Sequence, residues 1–132
     1  MNRPIQTAFI SALDAAQIVQ QLGLARCLIG MARCIEEDFK RWPDFDKTPR
    51  VAAHSVHGVI ELMPIADARH YSFKYVNGHP GNTRQGLPTV MAFGLLADVD
   101  TGLPVLLSEL TLSTALRTAA MSSSLGYCPS SQ

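Results

Sequence analysis

The chain has 132 residues, of which 47% are hydrophobic, and its eleven basic and eleven acidic residues give a formal net charge of zero. This length suits one domain with a single core. Because the charges are interspersed, no broad basic field attracts nucleic acid or an anionic membrane surface. No apolar run approaches the roughly 20 residues that span a bilayer, and no secretory signal opens the sequence, so we expect a soluble, cytoplasmic protein.

The amino-terminal part of the chain predicts two helices. A short helix covers Asp14 to Gln21 and ends at Gly23, since glycine suits the left-handed conformation of a helix cap. The next helix runs from Leu24 to about Trp42, where apolar residues recur three or four positions apart. It ends before Pro43, because proline disfavours a helical predecessor.

After a loop at 43–49, the periodicity changes to short runs rich in branched and aromatic residues. These runs predict strands at Arg50–Ser55, Val59–Met63 and Tyr71–Val76. A longer apolar run, Thr89–Val99, leads through a turn signal into Pro104–Leu107. The two runs predict a hairpin that is covered on both faces.

A last helix is predicted to start at Thr111 or Ser113, either of which can cap it. The order of elements indicates an α+β fold: amino-terminal helices, a mainly antiparallel sheet and a carboxy-terminal helix. We expect one domain at 1–124 and a frayed tail at 125–132, where periodicity is lost.

Three cations are the candidate ligand contacts. Lys74 precedes the segment 77–86, whose glycines and prolines would let the backbone turn close to an anion. Arg117 has small neighbours on its helix, which leave room for a carboxylate or a phosphate at the guanidinium. Arg50 opens a strand. Each also has a plainer interpretation, respectively a lysine that protects a sheet edge, a surface arginine and a solvated strand end.

The histidines and cysteines give weaker signals. His79 allows a catalytic interpretation. His54 and His57 are three positions apart in a region of predicted strands, and that spacing puts two side chains on opposite faces of a strand, which argues against a metal site. No cysteine has a partner at disulfide or metal-ligand spacing, so we expect free thiols in a reducing compartment and no metal.

Several segments closely resemble the ornithine cyclodeaminase/mu-crystallin family. The resemblance is densest at Arg50–Ala52, Gly58–Pro64, Lys74–Pro80 and Thr114–Thr118. In that family, NAD takes hydride from the α-carbon of ornithine, ammonia leaves as the ring closes, and the hydride returns to give proline. The Tyr-Val-Asn-Gly-His-Pro sequence favours the cyclodeaminase branch, whereas ketimine reductases and amino-acid dehydrogenases of the family are the alternatives.

The resemblance also implies roles for individual residues. Arg50, Lys74 and Arg117 would bind the carboxylate of L-ornithine, and Glu61 would orient its amines. Thr89 and Arg117 would contact NAD. The family relationship further implies a homodimer formed through shared β-structure, which suits the apolar strands Thr89–Val99 and Pro104–Leu107.

No Gly-x-Gly-x-x-Gly sequence follows any predicted strand, so the Rossmann domain of the family, with its catalytic aspartate, has no counterpart in the sequence. We therefore expect an enzyme by descent whose chain has no turnover alone. A frameshifted, degraded or incompletely sequenced gene is the expected origin, and a genuine short protein is the alternative to it. The functional alternative is a non-catalytic module that binds an amino acid or pairs with a full-length relative.

Overall fold

The computed structural model describes residues 6–125, and the side chains of residues 6–122. Within that range lie the helices α1 Ala12–Leu22, α2 Leu24–Lys40 and α3 Thr111–Leu125. Ser11 caps α1: its hydroxyl accepts a hydrogen bond from the Asp14 amide, while the Asp14 carboxylate accepts one from the Ser11 amide. Both predicted amino-terminal helices are confirmed.

Gly23 joins α1 to α2 with a positive φ of 83°, a backbone conformation that glycine adopts without steric cost. The two helix axes bend by 104° at this point. Among the described residues, no single helix is long and apolar enough to cross a membrane. Helices α1 and α2 reach that length and composition only when taken together as this bent pair.

Seven strands form one sheet. They are β1 Ala8–Ile10, β2 Asp46–Lys47, β3 Val51–Ser55, β4 Gly58–Ala66, β5 His70–Gly78, β6 Ala92–Asp98 and β7 Pro104–Glu109. The order is β1-β7-β6-β5-β4-β2, and β3 also pairs with β4. All pairs are antiparallel except β1 with β7. The α+β fold and the β6–β7 hairpin are confirmed.

Strand β4 continues past Pro64, so the predicted end at Met63 is wrong. Pro64 lies where β4 changes neighbour: its last pair with β3 is Leu62 to Val51, and its first pair with β2 is Ile65. A proline has no backbone N–H to donate. At this junction the missing donor interrupts no regular ladder, which is why the strand tolerates it.

Helix α3 starts at Thr111, one of the two predicted starts. The Thr111 hydroxyl, which was expected to cap the helix, instead accepts a hydrogen bond from the amide of Ala92 on β6 at 2.9 Å. The helix also runs through 122–125, where the sequence predicted its end. The Ser122 hydroxyl donates to the Thr118 carbonyl at 3.0 Å, a bond that keeps the serine compatible with the helix. The remainder of the predicted tail lies outside the described residues.

The sheet has a helix face and an open face. On the helix face, Met63, Lys74, Gly94 and Ser108 lie side by side across β4, β5, β6 and β7. Helix α3 packs against β6 on this side and also contacts α1 and α2. The helices therefore form a layer that covers part of one face of the sheet.

On the open face, Val51, Leu62, Tyr75 and Phe93 form a row across β3 to β6. Tyr75 and Phe93 stack with ring centroids 4.9 Å apart, yet Phe93 remains 41% exposed and Val51 63% exposed. The prediction that both faces of the hairpin are covered is therefore wrong for a single chain. The apolar side chains of these strands are covered on one face of the sheet only.

The buried apolar residues of the described chain are all small: Ala15, Ala92, Ala97 and Ala120. No large side chain among the described residues is fully buried. Large apolar side chains are left partly exposed on the open face and along the helices. Such an extent of exposed apolar surface is typical of a chain that packs against further polypeptide.

Candidate functional site

An open cavity of about 730 Å³ lies between the helix face of the sheet and α3. Arg50, Lys74 and Arg117 all line it. These are the same cations that the sequence singled out from three separate segments. The fold brings them to one place.

Each cation is held by a different element. Arg50 directly precedes β3, Lys74 lies within β5, and Arg117 lies on the second turn of α3. Strand alternation sends the Lys74 side chain to the helix face, and the register sets it between Met63 and Gly94. Lys74 therefore lies inside β5, within the predicted strand Tyr71–Val76.

Lys74 and Arg117 are near enough for their charges to interact. Partial burial, and secondly the positive charge of Arg117, lower the pKa of Lys74 below the ordinary lysine value of 10.5. Among the described residues, neither cation forms an ion pair with a carboxylate. An anionic ligand stabilises such a pair of like charges, neither of which is paired with a described carboxylate.

Arg50 differs because it already has a carboxylate partner. Its Nη1 atom lies 3.2 Å from both Oε1 and Oε2 of Glu61. The Arg50 side chain is largely exposed, whereas that of Glu61 is mostly covered. Glu61 does not itself line the cavity; it holds Arg50 at the rim.

Gly94 gives the site its depth. A Cβ atom at this position would come within 2.5 Å of the Leu110 side chain and 3.0 Å of the Phe73 carbonyl oxygen. Glycine therefore allows Leu110, which leads into α3, to lie directly over the sheet. This close approach brings Arg117 on α3 toward Lys74 on β5.

The segment after Lys74 is a structural junction. The Asn77 side chain is buried, and its Oδ1 accepts a hydrogen bond from the Met91 amide. Its Nδ2 therefore faces Nδ1 of His79 as a donor at 3.1 Å. His79 in turn donates its amide to the Thr89 carbonyl at 2.8 Å. Through these hydrogen bonds, the Asn-Gly-His sequence holds the two ends of the loop 79–89 together.

That loop does not form part of the cavity. No residue of 79–89 lines it, so this cavity gives no support to the expectation that the loop glycines bring the backbone close to an anion. Thr89 and His79 both lie at the junction. Within the described range, no group of three or more histidine, cysteine or acidic residues is placed to hold a metal ion.

Several polar residues of the cavity were missed by sequence reasoning. Strand alternation could have identified Ser72, which lies two positions before Lys74 on the same strand face. Helical spacing could have identified Ser113 and Thr114, which lie one helical turn before Arg117. Ser108 shares its row with Lys74, but only the β6–β7 register reveals it. The apolar part of the cavity includes Met31, Trp42, Ile65, Leu96 and Leu106.

The fold is that of a class of enzyme domain found in solved structures. A lysine cyclodeaminase structure, described as recognising L-lysine, L-ornithine and L-2,4-diaminobutyric acid, superposes with a TM-score of 0.76 at 29% identity over 89% of this chain and 36% of that one. An archaeal alanine dehydrogenase, described as a dimer with bound NAD, gives 0.68 at 28% identity over 87% of this chain and 34% of its own.

Residues 13–126 match the ornithine cyclodeaminase/mu-crystallin family, and the chain belongs to this family. The ornithine cyclodeaminase of Brucella abortus biovar 1 (strain 9-941) is 59% identical over 114 residues, which are 86% of this chain and 32% of that protein. The chain thus spans about a third of the length of each relative. The family resemblance read from the sequence is confirmed.

Proposed function

We propose that this chain supplies the substrate-binding part of an ornithine cyclodeaminase, which converts L-ornithine to L-proline with release of ammonia and depends on NAD. The observation that carries the proposal is the pair Lys74 and Arg117, two neighbouring cations with no carboxylate partner among the described residues, beside Arg50 in one cavity. The name and 59% identity of the Brucella relative support ornithine as the substrate.

In this proposal, the carboxylate of ornithine lies between Lys74 and Arg117. Arg117 offers a planar pair of donors, and Lys74 offers a point charge that a bound anion keeps protonated. Arg50 completes the site from the rim, and Glu61 orients the substrate amines while it holds Arg50. Fixing the carboxylate from three sides fixes the α-carbon, which is how positioning lowers the barrier to its reaction.

The described residues provide only part of an NAD site. We assign Arg117 and Thr89 to contacts with the nucleotide. The two residues lie in different places, since Arg117 lines the cavity and Thr89 lies at the loop junction outside it. When bound, NAD would supply a hydride acceptor for the α-carbon. The remaining contacts and the acid/base carboxylate are assigned to the two thirds of the relatives that this chain does not match, so the chain alone is expected to have no turnover.

We further propose a cytoplasmic homodimer in which the open faces of two copies meet. The row from Val51 to Phe93 is apolar, aromatic and partly exposed, as the centre of a protein interface is. The alanine dehydrogenase with the same fold is described as a dimer. Cys27 and Cys34 are free thiols, consistent with a reducing compartment.

The second candidate is a non-catalytic module that binds an amino acid. The observation in its favour is that the chain matches only 32% of the Brucella enzyme and yet has a cationic cavity within its described residues. Other activities of the family, ketimine reduction or amino-acid dehydrogenation, would use the same carboxylate contacts.

Complementation separates these candidates. The unmatched two thirds of the Brucella enzyme would be expressed as a separate chain, purified with this one, and supplied with ornithine and NAD. Ammonia and proline should form with both chains present, and not with either alone or with Lys74→Ala. A stable complex of the two chains that binds ornithine but releases no ammonia would instead support the non-catalytic module.

A further inference from the structure

The three lysines of the chain differ in what holds their amino groups. The Nζ atom of Lys40 lies 2.8 Å from Oε1 of Glu36 on the same helix. Lys47 lines the cavity, but its Nζ donates to two backbone carbonyls at 2.8 Å each. Lys74 lines the same cavity and forms no hydrogen bond or ion pair with any described residue. Of the three amino groups, that of Lys74 is therefore the one available to a ligand.

The surroundings of Lys74 favour the neutral form of its amino group. Partial burial and the positive charge of Arg117 lower its pKa. Glu61 lies one row away on the same face of the sheet, but its carboxylate is paired with Arg50 and forms no ion pair with Lys74. A lysine that is partly desolvated beside another cation has its nitrogen lone pair available more often, which makes the amine a nucleophile.

Arg117 provides the means to select an electrophile for this amine. Its guanidinium has no carboxylate partner among the described residues and suits a carboxylate through two parallel donors. In a 2-oxo acid, the carbonyl carbon is bonded directly to the carboxyl carbon, about 1.5 Å away. Lys74 and Arg117 line one cavity and are close enough for their charges to interact. A 2-oxo acid whose carboxylate is bound at Arg117 therefore brings its carbonyl carbon to the neighbouring amine.

We propose that Lys74 forms a reversible imine with 2-oxo acids that bind in this cavity. The lone pair of the neutral amine attacks the carbonyl carbon, and the electrons of the C=O bond move to the oxygen, which takes up a proton. The carbinolamine then loses water as the nitrogen forms the C=N bond, so the two amine protons leave with the carbonyl oxygen. Nothing is oxidised or reduced, and water reverses the step. The inference rests on the carboxylate contacts of the proposed function and adds a covalent activity at the same site.

A matched pair of ligands, 2-oxopentanoate and pentanoate, tests the proposal because the two differ only in the carbonyl group. The purified full chain would be incubated with each at neutral pH in the presence of cyanoborohydride, which reduces an imine to a stable secondary amine, and then mapped by peptide mass spectrometry. With 2-oxopentanoate, Lys74 should gain the mass of the acid less one oxygen atom. This label should be at least about tenfold more abundant on Lys74 than on Lys40 or Lys47, since binding holds the reacting groups together. Pentanoate should add no mass and should protect Lys74 when it is present in excess.

Two comparisons separate selective capture from general amine reactivity. Pentan-2-one has the carbonyl group but no carboxylate, so it should not label Lys74 in preference to the other lysines. Arg117→Met should lower the labelling of Lys74 by 2-oxopentanoate at least about tenfold, because it removes a charge-assisted contact to the carboxylate. Arg33→Met, on α2 and outside this cavity, should leave the labelling unchanged. The pentan-2-one comparison uses the unaltered chain, so it decides the question even if Arg117→Met does not fold.

The outcomes also distinguish this proposal from the proposed function. If Lys74 is labelled no more than Lys40 and Lys47 although pentanoate raises the pKa of Lys74 in an NMR titration, the imine is refuted while the carboxylate site stands. If 2-oxopentanoate gives no label on Lys74 and pentanoate does not move its pKa, both are refuted. Equal labelling of Lys74 by pentan-2-one and 2-oxopentanoate would overturn the proposal as well, because the carboxylate would then not direct the reaction.

Discussion

Lys74 on β5 and Arg117 on α3 line one cavity, and the charge of Arg117 helps to lower the pKa of Lys74. Their segments are more than forty positions apart in the sequence, and neither has a carboxylate partner among the described residues. Keeping two like charges together costs stability in the free protein. A ligand carboxylate removes that cost, so the repulsion itself favours binding.

Replacing Lys74 should remove most of this affinity. Lys74→Met keeps the apolar stem and loses the ammonium, and we expect pentanoate binding by calorimetry to weaken by at least about tenfold, since a charge-assisted hydrogen bond contributes roughly 1.5–3 kcal/mol. Lys40→Met is the matched control because Lys40 pairs with Glu36 on α2 and does not line the cavity. Equal affinities in the two variants would exclude Lys74 from the site.

Binding should also depend on pH on the alkaline side. The pKa of Lys74 is lowered from 10.5 in the free protein, and a bound carboxylate would raise it again. Affinity for pentanoate should therefore be complete below the lowered pKa and fall as the pH rises through it. Lys74→Arg stays charged throughout and should bind without this decline. A decline of the same size in both proteins would contradict the assignment.

The same shift has an opposite effect on folding. Because the unfolded chain holds the Lys74 proton more tightly than the folded chain, the contribution of Lys74 to the free energy of unfolding should rise as the pH increases toward 10.5. Comparing urea unfolding of the wild type and Lys74→Met across this range isolates the effect.

Glu61 competes with a ligand for Arg50. Glu61→Gln weakens the hold on the guanidinium, whose Nη1 is 3.2 Å from both carboxylate oxygens. Pentanoate, which has no amine for Glu61 to orient, should then bind about two- to fivefold more tightly, the range expected for a partly exposed ion pair. The gain should disappear in the double variant Arg50→Met/Glu61→Gln. Weaker binding of pentanoate by Glu61→Gln would show that the ion pair prepares Arg50 for the ligand.

Gly58 should be among the positions least tolerant of a side chain. A Cβ atom there would lie 2.1 Å from the Gly78 carbonyl oxygen and 3.0 Å from the Cα of His79, both backbone atoms. Gly58→Ala should therefore lower the free energy of unfolding by more than about 2 kcal/mol in urea titrations. Gly81→Ala has no atom within 4 Å of the added methyl group and should change little. If Gly58→Ala lowered the free energy of unfolding by no more than Gly81→Ala does, a backbone shift would have relieved the clash.

The open face should control the oligomeric state. Phe93 lies in the apolar row and is 41% exposed, so Phe93→Lys should shift the chain from dimer to monomer in analytical ultracentrifugation. Val56→Lys is the control, since Val56 is 96% exposed between β3 and β4. A dimer that survives Phe93→Lys unchanged would place the interface elsewhere.

The helices and the β6–β7 hairpin could be predicted because their signals are local. Apolar spacing, Gly23 and the Asp-Thr-Gly turn each act within a few residues. Strands β1 and β2 could not, since three and two residues respectively carry too little pattern and depend on partners far along the chain. The continuation of β4 through Pro64 likewise depends on the gap between its neighbours β2 and β3.

The cations were found from local context and resemblance, but their surroundings were not. The position of Ser108 beside Gly94 and Lys74 follows from the strand register, which no single segment encodes. The Arg50–Glu61 pair was missed for the same reason, because Arg50 directly precedes β3 whereas Glu61 lies on β4. The charged residues of the site could be identified from the sequence, whereas which of them are paired with a carboxylate could be identified only from the fold.

The most direct measurement is an NMR titration of the lysine side chains. The chain has only three lysines, Lys40, Lys47 and Lys74, so the Nζ signals can be assigned with single arginine substitutions. We expect the signal lost in Lys74→Arg to titrate below the ordinary pKa of 10.5, and norvaline or pentanoate to raise this pKa. A Lys74 signal that titrates at the ordinary value, or that neither ligand moves, would contradict the claim that this cavity binds a carboxylate.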